Sequence, residues 1–209
     1  PMTDIVALGE ILIDFTQAGI RPGGNALFEC NPGGAPANVA VCAAKLGMSA
    51  AFVGCVGDDM FGSFLRETLA THGVSAEGLV TSRGRNTTLA FVSLGESGER
   101  SFSFYRNHGA DTDLRASDVD MGLVRSARAF HFGSLSLTDE PSRRATLAAL
   151  DAADESGTLI SFDPNLRPAL WKSLDEARER IESVIGRADV VKLSDEELLF
   201  LTGEKDLSK

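Results

Sequence analysis

A regular alternation of short apolar runs and longer segments with helical spacing is the feature that most restricts the fold of this chain. The apolar runs predict buried strands, at Asp4–Gly9, Ser49–Val56, Ala127–Phe132, Thr158–Phe162 and Asp189–Leu193. The intervening segments predict helices, from about Pro36 to Leu46, from Met60 to His72, from Pro141 to Gly157, after Ser173 and after Ser194. Strands and helices that alternate in this way form a parallel sheet covered on both faces, which is an α/β fold.

Local signals mark the beginnings of two of these helices. Asp58 and Asp59 both precede the Met60–His72 helix, and either aspartate is suited to cap it. Ser194 is followed three residues later by Glu197, which predicts a capping box at the start of the last helix.

Two extended segments, at about residues 11–32 and 87–106, lie outside this alternation. Glycines and prolines punctuate the first segment, and the turn-like Gly95–Gly98 divides the second. Together they predict a small β-sheet laid across one edge of the main domain. The sequence contains neither an internal repeat nor a low-complexity linker, so residues 1–209 are predicted to form one domain.

Length, composition and charge limit the kinds of partner and the compartment that we expect for this protein. The 209 residues can bury one sizeable core. No run of 18 apolar residues occurs, and the chain enters a strand at once without a cleavable signal, so we expect a cytoplasmic protein that spans no membrane. The three cysteines are odd in number, which favours reduced thiols. A net charge of −10 argues against nucleic acid as a partner.

Paired glycines open the first helix and suggest a ligand site. Gly33 and Gly34 let a ligand approach the backbone closely, and Pro36 suits the first helical turn. The helix N-terminus offers free N–H groups, while the amide of Asn38 both donates and accepts hydrogen bonds. This set suits an uncharged polyol, although an ordinary loop-to-helix junction explains the same residues equally well.

Further candidate groups follow strands, where ligands gather in open parallel sheets. Ile11, Leu12 and Ile13 extend the first predicted strand, and Asp14 follows them directly. A carboxylate at this position is costly to bury without partners. It could accept hydrogen bonds from two sugar hydroxyls, cap a turn or pair with an arginine. Arg167 lies near Asn165 in a proline-bracketed turn and can donate forked hydrogen bonds. From composition alone, a surface arginine is the simpler interpretation of Arg167.

Motifs along the whole chain resemble one known family, the ribokinase/PfkB carbohydrate kinases. The stretches that carry the resemblance are Gly9–Phe15, Gly33–Leu46, Val53–Gly62, Phe104–Asp111 and Asp163–Trp171. Within the family they are most similar to the fructokinase segments, and the similarity continues in order from Asp4 to Gly203.

The resemblance implies a ribokinase-like parallel-sheet sandwich with a small β-sheet lid over the sugar. The chain looks like the N-terminal two-thirds of the family domain, with the C-terminal part absent. The family's catalytic base aspartate is therefore expected beyond residue 209. The Gly54–Asp58 stretch is only superficially similar to the segment that carries this base, and Asp58 is interpreted as a cap. Lids of this kind often mediate dimerisation, so a homodimer through the lid strands is expected.

The resemblance also implies which residues meet the ligands. The expected substrate-binding residues are Asp14, Gly33, Gly34, Asn38, Tyr105, Arg106, Asn165 and Arg167. Lys192 is expected on the phosphate side, and Glu197 is expected to position Mg²⁺ through water. Ser194 stands where the family motif has asparagine, which leaves metal positioning less well defined. The implied cofactors are ATP and Mg²⁺, with a monovalent cation as an optional third.

The implied function of the intact enzyme is ATP-dependent phosphorylation of a ketohexose, with fructose favoured. One alternative is a 2-keto-3-deoxygluconate kinase, in which Tyr105, Arg106 and Arg167 would clamp a sugar-acid carboxylate. The other alternative is a catalytically inactive sugar-binding or dimerisation fragment, because the base segment is missing.

Overall fold

The structure is a computed structural model that describes residues 2–94 and 100–205. The strands in these ranges are β1 Ile5–Leu8, β2 Leu12–Ile20, β3 Ala26–Gly33, β4 Ala50–Gly57, β5 Val74–Ser82, β6 Leu89–Leu94, β7 Arg100–Tyr105, β8 Ala129–Gly133, β9 Leu159–Asp163 and β10 Val190–Val191. The α-helices are α1 Ala35–Lys45, α2 Met60–Thr71, α3 Met121–Ser126, α4 Ser142–Ser156, α5 Leu174–Ile185 and α6 Asp195–Thr202.

Two sheets organise the strands. The main sheet has six strands in the order β10-β9-β8-β1-β4-β5, all paired in parallel. The second sheet has four strands in the order β3-β2-β6-β7 and mixes antiparallel and parallel pairs. The predicted α/β architecture with a small additional sheet is therefore confirmed. The turn predicted at Gly95–Gly98 lies outside the described residues.

The central strands of the main sheet are buried on both faces, as expected for a parallel sheet flanked by helices, whereas the edge strand β10 is exposed. Every residue of β4 is buried, although its side chains alternate between the two faces. On one face, Phe132 stacks on Phe130 and Phe162. The other face packs Phe52 with Leu65 and Leu69 of α2. No helix of the described ranges is long and apolar enough to cross a membrane.

The chain passes from the main sheet to the second sheet immediately after β1. The sequence suggested that Ile11–Ile13 extend the first strand, but β1 ends at Leu8 and β2 begins at Leu12 in the second sheet. Asp14 is thus a residue of the second sheet, paired with Asn31 and Ala90, rather than the end of a main-sheet strand.

Asp59 joins α2 to the segment that leads into β6. It is the N-cap of α2, and its Oδ1 accepts a hydrogen bond from the Gly62 N–H at 2.8 Å. The Thr87 N–H donates to Oδ2 and the Thr87 hydroxyl to Oδ1, both at 2.8 Å. Asp58, interpreted from sequence as a cap, is not the N-cap residue, because its neighbour occupies that position.

We therefore predict that substitutions of two adjacent aspartates affect stability differently. Asp59→Ala removes a cap and leaves buried donors of Thr87 unpaired, so it should lower the free energy of unfolding by about 2 kcal/mol. The melting temperature should fall by roughly 4–8 °C. Asp58→Ala is the matched control and should leave the melting temperature nearly unchanged. Equal losses in the two variants, measured by thermal denaturation, would contradict this assignment.

Candidate functional site

A cavity of about 130 Å³ lies where the second sheet meets the carboxyl end of the main sheet. Five residues singled out in the sequence line this cavity, namely Asp14, Gly34, Asn38, Asn165 and Arg167. Phe102 and Phe104 of β7 contribute apolar surface to it. The cavity therefore combines hydrogen-bonding groups from three separate parts of the chain with an aromatic wall.

Two glycines permit the close packing at this site. Gly34 precedes α1 with φ 109°, a conformation that favours glycine. A Cβ at Gly34 would collide with the carbonyl oxygen of Glu10. A Cβ at Gly33 would collide with Oδ2 of Asp14. The glycine pair therefore brings the start of α1 against β2, and it leaves room for the Asp14 carboxyl group.

Asp14 and Arg167 set the electrostatics of the cavity. Burial raises the pKa of Asp14, and the charge of Arg167 opposes that rise. The guanidinium of Arg167 donates to the Leu166 carbonyl at 3.1 Å and lies 5.9 Å from the ring centre of Phe102. A carboxylate and a guanidinium thus face one half-buried space, where hydrogen bonds to a ligand are stronger than in bulk water.

A strained turn after β9 carries Asn165 and Arg167. Asn165 has φ 44°, which is uncommon for a residue with a side chain but tolerated by asparagine. Its N–H donates to Oδ1 of Asp163 at 3.1 Å, so the aspartate side chain holds the turn.

Of the other three expected sugar residues, Gly33 lies beside Asp14, whereas Tyr105 and Arg106 lie outside the cavity. Tyr105 is 65 % exposed and packs edge-on against Phe91. Side chains alternate along a strand, so Phe102 and Phe104 face the cavity while Tyr105 faces away. Tyr105 instead borders a second pocket, together with Asn107 and His108.

Arg106 is buried and bonded within the protein. Its Nε donates to Asp111 at 2.7 Å, and its remaining nitrogens donate to Thr138 Oγ1 at 2.8 Å and the Leu135 carbonyl at 2.9 Å. A guanidinium with these partners fixes the end of β7 to the loop after β8. It contacts the cavity lining through Leu135.

The expected phosphate-side residues border an adjoining pocket that shares Asn165 and Arg167 with the cavity. Glu197 is buried, and its two oxygens accept hydrogen bonds from the Leu166 N–H at 2.6 Å and the Ser194 N–H at 2.8 Å. The Ser194 hydroxyl accepts in return from the Glu197 N–H, which confirms the capping box. Lys192 is exposed, with its Nζ 3.2 Å from Oδ2 of Asp163.

The geometry of Glu197 is compatible with an indirect metal role through water. Across residues 2–94 and 100–205, no three His, Cys, Asp or Glu side chains are grouped so that they could hold an ion. Glu197 is fixed by two backbone donors, yet each carboxylate oxygen keeps a second lone pair for a metal-bound water.

The sequence interpretation missed Glu10, another residue that lines the cavity. Its side chain is 3 % exposed, and Oε1 accepts a hydrogen bond from the Ala35 N–H at 2.9 Å. Burial raises the pKa of Glu10 to about 7, against the lowering effect of that N–H. The available signal was a carboxylate inside an apolar run, at the carboxyl end of a strand.

Comparisons with known proteins identify the family of the chain. The family model described as pfkB family carbohydrate kinase matches residues 2–209. A probable fructokinase-4 from Arabidopsis thaliana is 51% identical over 201 residues, which cover 95% of this chain and 62% of the relative. Fructokinase-2 from Solanum lycopersicum is 49% identical over 205 residues, which cover 97% of this chain and 62% of the relative.

Two solved structures are similar in fold. A fructokinase from Xylella fastidiosa superposes with a TM-score of 0.87 at 40% identity, covering 96% of this chain and 62% of that one. A fructokinase double mutant from Vibrio cholerae O395 was solved with fructose, ADP and potassium ion. It also superposes with a TM-score of 0.87, at 38% identity, and the match covers 99% of this chain and 64% of that one.

A parallel sheet, a second small sheet and a polar cavity between them define a ribokinase-like kinase fold. The chain belongs to the pfkB family of carbohydrate kinases. It spans about 62% of the length of the curated relatives that it matches.

From the raised pKa of Glu10, we predict an unusual dependence of the free energy of unfolding on pH. Its pKa is about 7 in the folded state and 4.5 as the reference value, so the folded state holds the proton more tightly. The resulting stability is fully present below pH 4.5 and is lost as the pH rises through 7. This loss amounts to about 3 kcal/mol.

Glu10→Gln removes this titration. The difference in unfolding free energy between wild type and the variant should therefore change by about 3 kcal/mol between pH 4.5 and pH 8, in favour of the variant at high pH. Urea denaturation at several pH values measures it. A difference that stays constant over this range would show that Glu10 titrates normally.

Proposed function

We propose that the protein containing this chain phosphorylates a ketohexose, with fructose as the preferred substrate and ATP as the phosphoryl donor. The observation that carries the proposal is the cavity that joins Asp14, Asn38 and Arg167. The fructokinase relatives and the fructose named in the Vibrio cholerae structure support this substrate.

The cavity residues suit an uncharged, hydroxyl-rich ligand. The carboxylate of Asp14 accepts hydrogen bonds from neighbouring hydroxyls, and the guanidinium of Arg167 donates to them. The amide of Asn38 does both. Phe102 and Phe104 cover the apolar C–H face of the sugar and keep water out, which makes these polar contacts selective. These residues orient the sugar, with Gly33 and Gly34 shaping the wall.

The nucleotide belongs on the neighbouring side, along the pocket of Lys192 and Glu197. ATP supplies the γ-phosphoryl group, and Mg²⁺ together with a monovalent cation would offset phosphate charge. Lys192 is exposed and can reach a phosphate, while Glu197 can hold a metal-bound water. The aspartate that takes the proton of the sugar hydroxyl is expected beyond residue 209, in the part of the relatives that this chain does not match.

A sugar-acid substrate, such as 2-keto-3-deoxygluconate, is the weaker alternative. Two arginines would be expected to bind the carboxylate of such a substrate. Arg106 is bonded to Asp111, Thr138 and Leu135 instead, so only Arg167 is left in the cavity. A single guanidinium opposite Asp14 favours a neutral sugar.

We also propose that the second sheet acts as a lid over the sugar and pairs with a second copy as a homodimer. The second sheet exposes several large apolar side chains, namely Ile20, Leu27, Phe28 and Tyr105. A concentration-independent monomer in sedimentation velocity would refute the pairing. A cytoplasmic enzyme fits the free cysteines Cys30, Cys42 and Cys55.

The activity is tested on the product of the whole gene, read in frame past Lys209. We expect ATP-dependent phosphorylation of fructose and little turnover of 2-keto-3-deoxygluconate in a coupled ADP-release assay. Turnover of the sugar acid without turnover of fructose would reverse the substrate assignment. A natural stop codon at this point would instead support the inactive sugar-binding fragment.

Asp14→Asn tests the sugar site within this chain. The amide keeps the shape but replaces one acceptor oxygen with a donor, so one charge-assisted bond to a hydroxyl is lost. Fructose affinity should fall on the order of 10-fold or more, because such a bond contributes roughly 1.5–3 kcal/mol. The melting temperature should change little, since the substitution removes a half-buried charge.

Calorimetric titration with fructose and melting curves of both proteins separate the two roles of Asp14. If Asp14 has a structural role, Asp14→Asn should lower the melting temperature and leave fructose binding intact. Unchanged affinity in a well-folded variant would remove Asp14 from the site.

A further inference from the structure

One buried polar atom has no hydrogen-bond partner and belongs to a residue that lines the cavity. Within the described residues, four buried side-chain atoms lack a partner: Oε2 of Glu10, Nε2 of His131, Nε1 of Trp171 and Oε2 of Glu176. Of these four residues, Glu10 alone lines the cavity. Buried polar groups in folded proteins nearly always have a partner, and a ligand in this cavity can supply one to Glu10.

We propose that Glu10 is a ligand-binding residue whose protonated Oε2 donates a hydrogen bond to a hydroxyl oxygen of the bound sugar. The inference rests on the proposed sugar-binding function of the cavity. It adds a donor that no other acid in the site provides, because Asp14, as a carboxylate, only accepts.

The geometry distinguishes the two oxygens of Glu10. Oε1 accepts from the Ala35 N–H at 2.9 Å, so it acts as the carbonyl oxygen of a neutral carboxyl group. Oε2 then carries the proton and is the atom without a partner. A hydroxyl oxygen of a polyol is a natural acceptor for it, and the resulting hydrogen bond connects the ligand to the first residue of α1.

The surroundings of Glu10 favour the neutral form. Burial is the main cause of its raised pKa. The backbone N–H groups of Glu10 and Ala35 act against that rise, and the nearby Asp111 adds to it. Arg106 has the opposite effect, but its guanidinium is already paired with Asp111. Asp14 and Arg167, which line the same cavity, are the remaining charged groups there. Loss of the proton above neutral pH would remove the donor and leave a buried charge.

The test is calorimetric titration with fructose at pH 6 and pH 8.5. Wild-type affinity should fall on the order of 10-fold between these pH values, because the binding-competent protonated fraction falls. Glu10→Gln keeps an acceptor for Ala35 and an N–H donor at both pH values, so its affinity should change less than about 2-fold. Deprotonation of Asp14 acts in the opposite direction, since its charge is lost at low pH.

Glu176→Gln is the matched control. Glu176 also has a buried oxygen without a partner, but it lies on α5 outside the cavity and pairs with Arg180. This variant should retain the wild-type pH dependence of fructose affinity. If Glu176→Gln abolished that dependence as well, the effect could not be assigned to the cavity.

Carbon-13 NMR titration of the Glu10 carboxyl gives a second readout that needs no variant. Fructose should raise the pKa of Glu10, because the protonated form is the one that binds. A pKa that fructose leaves unchanged or lowers would overturn the proposal, as would a wild-type affinity that is equal at pH 6 and pH 8.5. A wild-type chain that binds no fructose at pH 6 would contradict the sugar-site function itself, so the two failures are distinguishable.

Discussion

The contact between Glu10 and the turn at Gly34–Ala35 is the interaction on which the site depends. The Glu10 carboxyl group accepts from the first N–H of α1, while its backbone carbonyl lies where a side chain at Gly34 would be. This contact fixes the point where the chain leaves the main sheet. β2 then starts in the second sheet, and the missing side chain of Gly33 makes room for Asp14 beside the helix.

The two arginines near the site are used differently because of their burial. Arg106 is buried and paired with Asp111. A buried ion pair is weak evidence for stability, so its main effect here is to fix the positions of the segments that it joins. It attaches the end of β7 to the loop after β8, which keeps Phe102 and Phe104 over the cavity. Arg167 is only half buried and keeps donors available, so its guanidinium is accessible from the cavity.

The order of strands and helices could be predicted from the sequence because both faces of the main sheet are apolar. β5 was not predicted, since Glu77 and Gly78 interrupt its apolar pattern. Short motifs and the family resemblance singled out Asp14, Gly34, Asn38 and Arg167 together, and these residues line one cavity. Tyr105 was included with them because adjacent residues resemble one motif, although strand alternation turns its side chain away.

Tertiary burial explains what the sequence could not supply. Nothing local indicates that Arg106 pairs with Asp111 and two groups of a distant loop, or that Glu10 is enclosed. Both depend on how the second sheet packs against the main one, and both change the chemistry of the cavity. The choice between Asp58 and Asp59 as the cap was likewise decided by a distant residue, Thr87.

A crystal structure of this chain with fructose tests the central claim most directly. The account predicts one sugar in the cavity, with its oxygens within about 3.2 Å of Asp14, Arg167 and Glu10. Tyr105 and Arg106 should make no contact with it. Fructose bound beside Tyr105 and His108, or along Lys192 with the cavity empty, would contradict the account.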